Sequence, residues 1–371
     1  MYRKVVSAIV IVGLATACSL AAAPKEADVQ GMYRGAWKDG GAQGKLEARV
    51  VAWGQNTYKA LITQERGGGK STIELNGKLK GDKVVFQGRP GGVEWEGVYG
   101  DAEIRGRVGT GGKFELTRFV PTSPAEGKKP PEGAVVLLDG KNFNEMTRRG
   151  KNPWYLDIMS KDGWTVWEVP IRIIAGGQPK QWPDAKTVVP EGWELGKERR
   201  RADTVIGIGD DGSIRVPRGG MTSKRRFEGN FDAHVEFMCP LRARARSQGR
   251  GNSGVYLPNG EEIQVLDSFG MTTYEGGCCG GIYRWKNPDT FDKFNLTSYP
   301  PLTWQTYDIE HRVRKDERGK KAVYLTVIHN GVKIHDNVKL RRGPRKGSFH
   351  FQDHGNPVRY RNIWVLPVKE K

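Results

Sequence analysis

Apolar residues alternate with polar ones along most of this chain, in runs of five to nine positions. LEARVVAW, TYKALIT, STIELNG, KVVFQG and KFELTRF show the pattern between residues 45 and 120. FDAHVEFMCP, SGVYLP, EEIQVLD, TYDIEHRVR, AVYLTVIHNG and VRYRNIWVLPV show it again beyond residue 230. A period of two is the signature of a half-buried strand. Asn-Gly, Lys-Gly-Asp and Gly-Gly breaks separate the runs, and Asn330-Gly331 between VYLTVIH and VKIHD is a strong hairpin signal. No segment shows a long apolar helical period with caps. The pattern predicts an all-β protein.

Breaks in the pattern divide the chain. PTSPAEGKKPPEG, residues 121–133, has four Pro, two Gly and no apolar period, and reads as an extended linker. It separates a unit over 27–120, expected to be a small antiparallel β-barrel or sandwich, from a unit over 134–371. The second unit reads as a two-sheet jelly roll. A stretch at about 150–203 interrupts it and holds five of the eleven Trp, at 154, 164, 167, 182 and 193. It is expected to be an ordered insertion folded over one face of the sandwich.

The first 23 residues follow different rules. Arg3 and Lys4 precede a largely apolar run from Val5 to Ala23, which reads as a signal peptide. LATAC, ending at Cys18, is similar to a lipobox, and Ala21-Ala22-Ala23 offers an ordinary cleavage site. The expectation is an exported protein, periplasmic or extracellular, either simply secreted or held at a membrane by a lipid anchor.

Composition changes this picture little. The formal net charge is +18, with basic runs at 197–201, 242–246, 312–315 and 341–346. They fall at scattered turns and match no nucleic-acid-binding signature, so no nucleic-acid partner is expected. Weak association with an anionic polysaccharide or the cell envelope is the alternative to plain solvated loops. Beyond Cys18 the thiols are Cys239, Cys278 and Cys279. In an oxidising compartment Cys239 would pair with one of the other two. Cys/His spacing for zinc is absent.

The candidate chemistry lies in the second unit. In EEIQVLDS, Ile263 and Val265 alternate with Glu262 and Gln264, which therefore share a face. Asp267 would join them if a bulge turned it round. That face is either a solvated sheet surface or the floor of a site. Gln352-Asp353-His354-Gly355-Asn356 ends a strand, and His354 can move protons near neutral pH. Arg361 would donate to a ligand oxygen or pair with a buried carboxylate. Asn252 and Ser253 before Gly254 would bind a ligand's polar groups or form a plain turn. Tyr283 and Trp285 would stack on a ligand ring, and Tyr256 would either stack or pack in the core. His311, His329 and His335 read as structural. Glu262, Asp267, Asp353 and His354 would supply a divalent cation if they converged, but their spacing is no metal signature, and the cofactor stays undetermined. Oligomeric state is likewise not legible.

Several phrases together resemble one family. They are VVLLDGKNF, DGSIRVPRGGMTSKRRFEGNFDAHVEF, RGNSGVYLPNGEEIQVLDSFG, CGGIY, TWQTYDIEHRV, HNGVKIHD and FHFQDHGNPVRYRNIWV. In this order they resemble the 3-keto-disaccharide hydrolase domain of bacteria, across nearly all of 134–371 apart from the insertion. The resemblance implies a concanavalin A-like β-sandwich and cleavage of glycosidic bonds in sugars oxidised at C3. The 27–120 unit looks like an accessory β-domain found beside this family. A C3 ketone acidifies the C2 proton, so a base can remove it and the C1 substituent can leave by elimination, with water then adding back. On this reading Glu262, His354 and Asp267 are the catalytic residues. Asn252, Ser253, Gln264, Tyr283, Trp285, Gln352, Asp353 and Arg361 contact the carbohydrate substrate. The spacing E-x-Q-x-x-D is similar to the E-x-D-x-x-E strand of laminarinase-like glucanases, with one carboxylate replaced by an amide. Gln cannot exchange a proton near neutral pH, which disfavours the two-carboxylate route. A non-catalytic sugar-binding sandwich and a conventional glycosidase are the competing readings.

Overall fold

The computed structural model describes residues 23–141, 145–148, 211–217 and 219–369, together with four short strands between 157 and 195. The leader and the placement of the insertion therefore lie outside the described residues.

The first unit is a closed barrel of eight antiparallel strands in sequence order. They are β1 (Gly31–Asp39), β2 (Ala42–Gly54), β3 (Thr57–Arg66), β4 (Gly69–Lys80), β5 (Lys83–Gly88), β6 (Trp95–Gly100), β7 (Glu103–Val108) and β8 (Gly112–Phe119). β8 closes on β1, from Met32 opposite Phe119 to Lys38 opposite Lys113. Alternate residues turn inward, and Tyr33, Trp37, Val50, Tyr58, Phe86, Trp95 and Phe114 fill the interior. Closure removes the exposed edges that would otherwise pair with other chains. A one-turn helix, α1 (Glu26–Val29), sits at one end, where Tyr33 donates to the Val29 carbonyl and Tyr99 to that of Asp28.

The second unit is a sandwich, as the alternation predicts. Its remaining strands are β9 (Val135–Leu138), β10 (Met146–Arg148), β11 (Asp157–Met159), β12 (Val166–Glu168), β13 (Ile171–Ile173), β14 (Trp193–Leu195), β15 (Ile214–Arg215), β16 (Met221–Ser223), β17 (Asn230–Met238), β18 (Ser253–Tyr256), β19 (Glu262–Val265), β20 (Gln305–Lys315), β21 (Lys321–His329), β22 (Val332–Lys339), β23 (His350–Phe351) and β24 (Arg359–Val368). One sheet runs β15-β24-β17-β20-β21-β22, with β9 also paired to β24, and the other runs β10-β16-β23-β18-β19. β11 with β12, and β13 with β14, form two separate ribbons. The core between the two main sheets is built from Phe231, Val235, Phe237, Val255, Ile263, Val265, Tyr307, Leu325, Phe351 and Tyr360, among others. Asn330 and Gly331 both take positive φ, as the hairpin between β21 and β22 requires.

Two expectations change here, Arg361 at the substrate and a disulfide of Cys239. The 121–133 segment, expected as an extended linker, lies on the outer face of the larger sheet. Ser123 Oγ is 2.6 Å from Thr306 Oγ1, the Gly127 amide donates to Glu236, and Trp364 donates to the Lys128 carbonyl. Arg361 belongs to this outer face, where it pairs with Glu236 at 2.7 Å and Glu126 at 2.6 Å. Burial raises the Glu236 pKa, but His234, Asn362, Arg361 and the Gly127 amide outweigh it and bring the carboxyl down to about 2. Arg361 is thus spent on a buried carboxylate. Lastly, Cys239, Cys278 and Cys279 are buried free thiols, and Cys279 Sγ lies 3.1 Å from the Tyr307 hydroxyl.

Candidate active site

Ile263 and Val265 enter the core, so Glu262 and Gln264 face out from the smaller sheet. Cross-strand register extends that face. Glu262 on β19 pairs with Tyr256 on β18, Tyr256 with His350 on β23, His350 with Thr222 on β16, and Thr222 with Thr147 on β10. One row across five strands therefore reads Thr147, Thr222, His350, Tyr256, Glu262. Adjacent strands are spaced about 4.8 Å, so Glu262 and His350 leave the sheet about 10 Å apart, with Tyr256 between.

The segment after Gly276 covers the open edge of β19. Gln264 donates its amide to Gly281, Gly280 donates to Gln264, and Tyr283 donates to Glu262. This sets Tyr283 beside Glu262, and its hydroxyl lies 2.9 Å from that of Tyr274. The two phenols rim the end of the row.

Burial raises the Glu262 carboxyl to a pKa of about 7, against the opposing pull of a hydrogen bond with Tyr256. Burial is also the main reason the Tyr256 hydroxyl stays protonated far above neutrality, reinforced by Glu262. Gln352 donates to the Tyr256 hydroxyl at 3.3 Å. His350 Nδ1 lies 3.1 Å from Thr222 Oγ1, and its ring tilts against that of Tyr256 at 5.4 Å. A carboxyl near neutrality, a protonated phenol and an imidazole on one face can take a proton, hold an oxyanion and return a proton.

Two glycines make room for this chemistry. A Cβ at Gly254 would lie 2.1 Å from Glu262 Oε1. One at Gly220, which has φ +83°, would lie 2.4 Å from His350 Cε1.

The remaining sequence candidates separate. Gln264 lies two residues along β19 from Glu262, and Gln264 and Asn252 share Gln248, whose Oε1 accepts from Gln264 at 2.7 Å and from Asn252 at 3.1 Å. Ser253 faces the interior instead, donating to the Gln352 carbonyl and meeting the Tyr360 hydroxyl at 2.9 Å. Asp267 is fully buried and pairs with Arg250 at 2.8 Å, beyond the end of β19. No bulge interrupts the β18–β19 register to bring it onto the Glu262 face. Asp353 builds a turn, accepting from the amides of Gly219 and Gly355. Trp285 packs against the core edge beneath Arg341. His354 is exposed in the turn after β23. Among the described residues no three His, Cys, Asp or Glu side chains gather, so Glu262, Asp267, Asp353 and His354 do not form the cation site considered above.

His350 is the residue sequence reasoning missed. The signal was present in FHFQ: Phe349 and Phe351 are buried and alternate with His350 and Gln352. The family resemblance implies His354, four residues further on.

No curated protein matches the chain. Among solved structures, a candidate glycosyl hydrolase from Parabacteroides distasonis is 24% identical, covers 64% of this chain and 85% of its own, and aligns with a TM-score of 0.43. An alginate lyase variant bound to an alginate trisaccharide is 12% identical, covers 43% and 83%, and has a TM-score of 0.29. The 3-keto-alpha-glucoside-1,2-lyase-like domain matches residues 133–366, the whole sandwich with its five-strand row, and the chain belongs to that family.

Proposed function

We propose that this protein cleaves 3-keto-glycosides by elimination across C1 and C2, followed by hydration. Glu262 in its carboxylate form takes the C2 proton. The electron pair moves into C2–C3 and the negative charge settles on the C3 oxygen. Tyr256, a protonated donor in the same row, stabilises that oxygen. The carbonyl then re-forms, the pair shifts to C1–C2 and the C1–O bond breaks. His350 supplies the proton to the leaving oxygen. Adding water places hydroxyl at C1 and a proton at C2, so the net reaction is hydrolysis.

The observation that carries this reading is the row itself: one buried carboxyl, with an amide at its neighbouring same-face position and an imidazole two strands away. Ordinary glycoside hydrolysis places two carboxylates around the anomeric carbon. Gln264 stands at the position where a second one would be required. An elimination route needs one base, and the substrate's ketone supplies the activation. Export, proposed from the apolar leader, would put the reaction outside the cytoplasm on sugars released there.

The test is incubation with 3-keto-trehalose, with the same sugar carrying deuterium at C2, and with unoxidised trehalose. Cleavage of the keto sugar alone is expected, with a primary isotope effect and a transient enone absorbance. Equal cleavage of unoxidised trehalose would replace this mechanism with a conventional glycosidase. Binding of either sugar without turnover would make the sandwich a lectin-like module.

A further inference from the structure

The strands of the active-site row all lead to one end of the smaller sheet, and that end is basic. Beyond Thr222 the chain reads Lys224-Arg225-Arg226, and ahead of His350 it reads Arg341-Arg342-Gly343-Pro344-Arg345-Lys346. Between Tyr256 and Glu262 it turns at Pro258-Asn259-Gly260. The two basic runs are far apart in sequence, and the fold joins them here. Arg226 donates to the Lys346 carbonyl at 2.8 Å, and Phe227 pairs with Gly347 in an antiparallel bridge. A Cβ at Gly347 would lie 2.1 Å from the Pro258 carbonyl oxygen, so the second run lies directly against the β18–β19 turn.

The carboxylates at this end are already taken. Glu261, 2% exposed, pairs with Arg341 at 3.2 Å and accepts the Arg342 backbone amide at 3.0 Å. Glu228 pairs with Lys346 at 3.2 Å. Among the described residues Lys224, Arg225, Arg226, Arg342 and Arg345 have no acidic partner, and all five are exposed. Crowded like charges repel one another, so such a cluster favours an anion.

Arg342 is the fixed member. Its carbonyl accepts from Asn259 Nδ2 at 3.1 Å, and its Nη1 donates to the Gly260 carbonyl at 2.8 Å. Gly260 has φ +86°, and a Cβ there would lie 2.5 Å from Arg342 Nη1. A glycine thus lets the guanidinium rest on the turn, two residues from Glu262. A neutral carbonyl uses one of its five N–H groups and cancels none of its charge. That charge reaches the row: burial chiefly keeps the Tyr256 hydroxyl protonated, and Arg342 pulls against it.

We infer that Arg342, with Arg345 and the 224–226 run around it, binds an anionic group of the substrate, a carboxylate or a sulfate, so that the protein prefers acidic glycosides to neutral ones. That the ring over Glu262 is a 3-keto sugar rests on the function proposed above; the charge preference does not.

The experiment measures by calorimetry the binding of trehalose, its C6 carboxylic acid and its 6-sulfate to the full chain. At low salt the two acidic sugars should bind roughly tenfold more tightly than trehalose, the size of one charge-assisted hydrogen bond. The advantage should shrink at about 0.5 M salt, where exposed charges are screened. The tighter of the two acidic sugars identifies the anionic group. Arg342→Gln should remove most of the advantage and Arg345→Gln part of it. Lys38→Gln takes the same charge from the far end of β1 and should leave it intact, which separates a local site from net charge. Should Arg342→Gln not fold, Arg345→Gln and the salt series decide. Equal affinity for all three sugars, no measurable binding of the acidic pair, or an advantage untouched by Arg342→Gln and Arg345→Gln overturns the inference. Failure to cleave 3-keto-trehalose would sink the proposed function while leaving these affinities intact.

Discussion

The barrel and the sandwich are built from the same alternating strands but bury different things. The barrel interior is aromatic and aliphatic, from Tyr33 and Trp37 to Phe114 and Leu116. Its ion pairs, such as Arg34 with Glu47 and Arg105 with Glu115, stay on the surface. The sandwich buries Glu236, Glu262, Asp267, Arg250, Gln264, Asn252, His234, His311, His329 and His335. All six histidines of the chain lie in it. Burying such groups costs free energy unless each is paired. Most are paired: His234 with Asp308 and Glu236, Asp267 with Arg250, His335 with the Gly280 carbonyl. Glu262, whose carboxyl stays near neutrality despite its hydrogen bond with Tyr256, is the buried group that leads to a site. A region that accepts that cost is where chemistry is to be sought, and a region that avoids it serves as support.

The largest way to test this contrast is Glu262→Gln, which should lower kcat on a 3-keto-glycoside by about 10³-fold, within the range of a lost general base. Glu74→Gln, which removes a barrel carboxylate paired with Lys59 and Lys293, should leave kcat unchanged. If both variants behave alike in steady-state kinetics, the contrast is false.

Glycines give the next test. Gly254→Ala would drive a methyl group against the Glu262 carboxylate and should cost about 10²-fold in kcat/KM, as displaced catalytic groups do. Gly100→Ala in the barrel meets open space at an ordinary φ and should be neutral or stabilising by about 0.5 kcal/mol in thermal melts.

Acidity separates the two units. Burial lowers His311 to about 4, His329 to about 3 and His335 to about 4. Their folded pKa values lie below the unfolded value of 6.5, so their contribution is complete above 6.5 and is lost as pH falls below it. The sandwich should lose stability between about pH 6 and 4, while the histidine-free barrel should not, as followed by hydrogen exchange. Glu262 has the opposite sign. Its folded pKa of about 7 lies above the unfolded 4.5, so wild type should lose stability relative to Glu262→Gln as pH rises from 4.5 to 7, by at most about 3 kcal/mol. Over the same rise, kcat/KM should climb as the base is freed.

The smallest effects belong to the contact between the units. Arg246→Ala should cost about 1 kcal/mol of melting stability through its lost bond to the Trp53 carbonyl and its contact with the Trp53 ring. Lys293→Ala, at an exposed pair with Glu74, should cost less than that.

Much of the fold could be read from the chain. The strand runs, the Asn330-Gly331 hairpin and the shared face of Glu262 and Gln264 all follow from local pattern. The candidate site was legible only in part. His354 sits in a turn that fits the family phrase, yet His350 holds the register position in line with Glu262. Arg361 and Glu236 are far apart in sequence and meet only because β24 lies beside β17. Asp267 finds Arg250 rather than its neighbour in EEIQVLD.

Alternation is a property of a single strand, so the chain determined which residues could share a face without reference to any other segment. It placed Glu262 opposite Ile263 and Val265, and an amide where a second carboxylate would have stood. Strand order and register are set by contacts between distant segments, and these decided which polar groups met. Only the folded sheet put Tyr256 and His350 in line with Glu262, and only the Gly277 carbonyl gave three amides a common direction. A hydrogen bond has a polarity that no periodicity encodes, so the way Gln248, Asn252 and Gln264 direct their amides came into view with the tertiary structure alone.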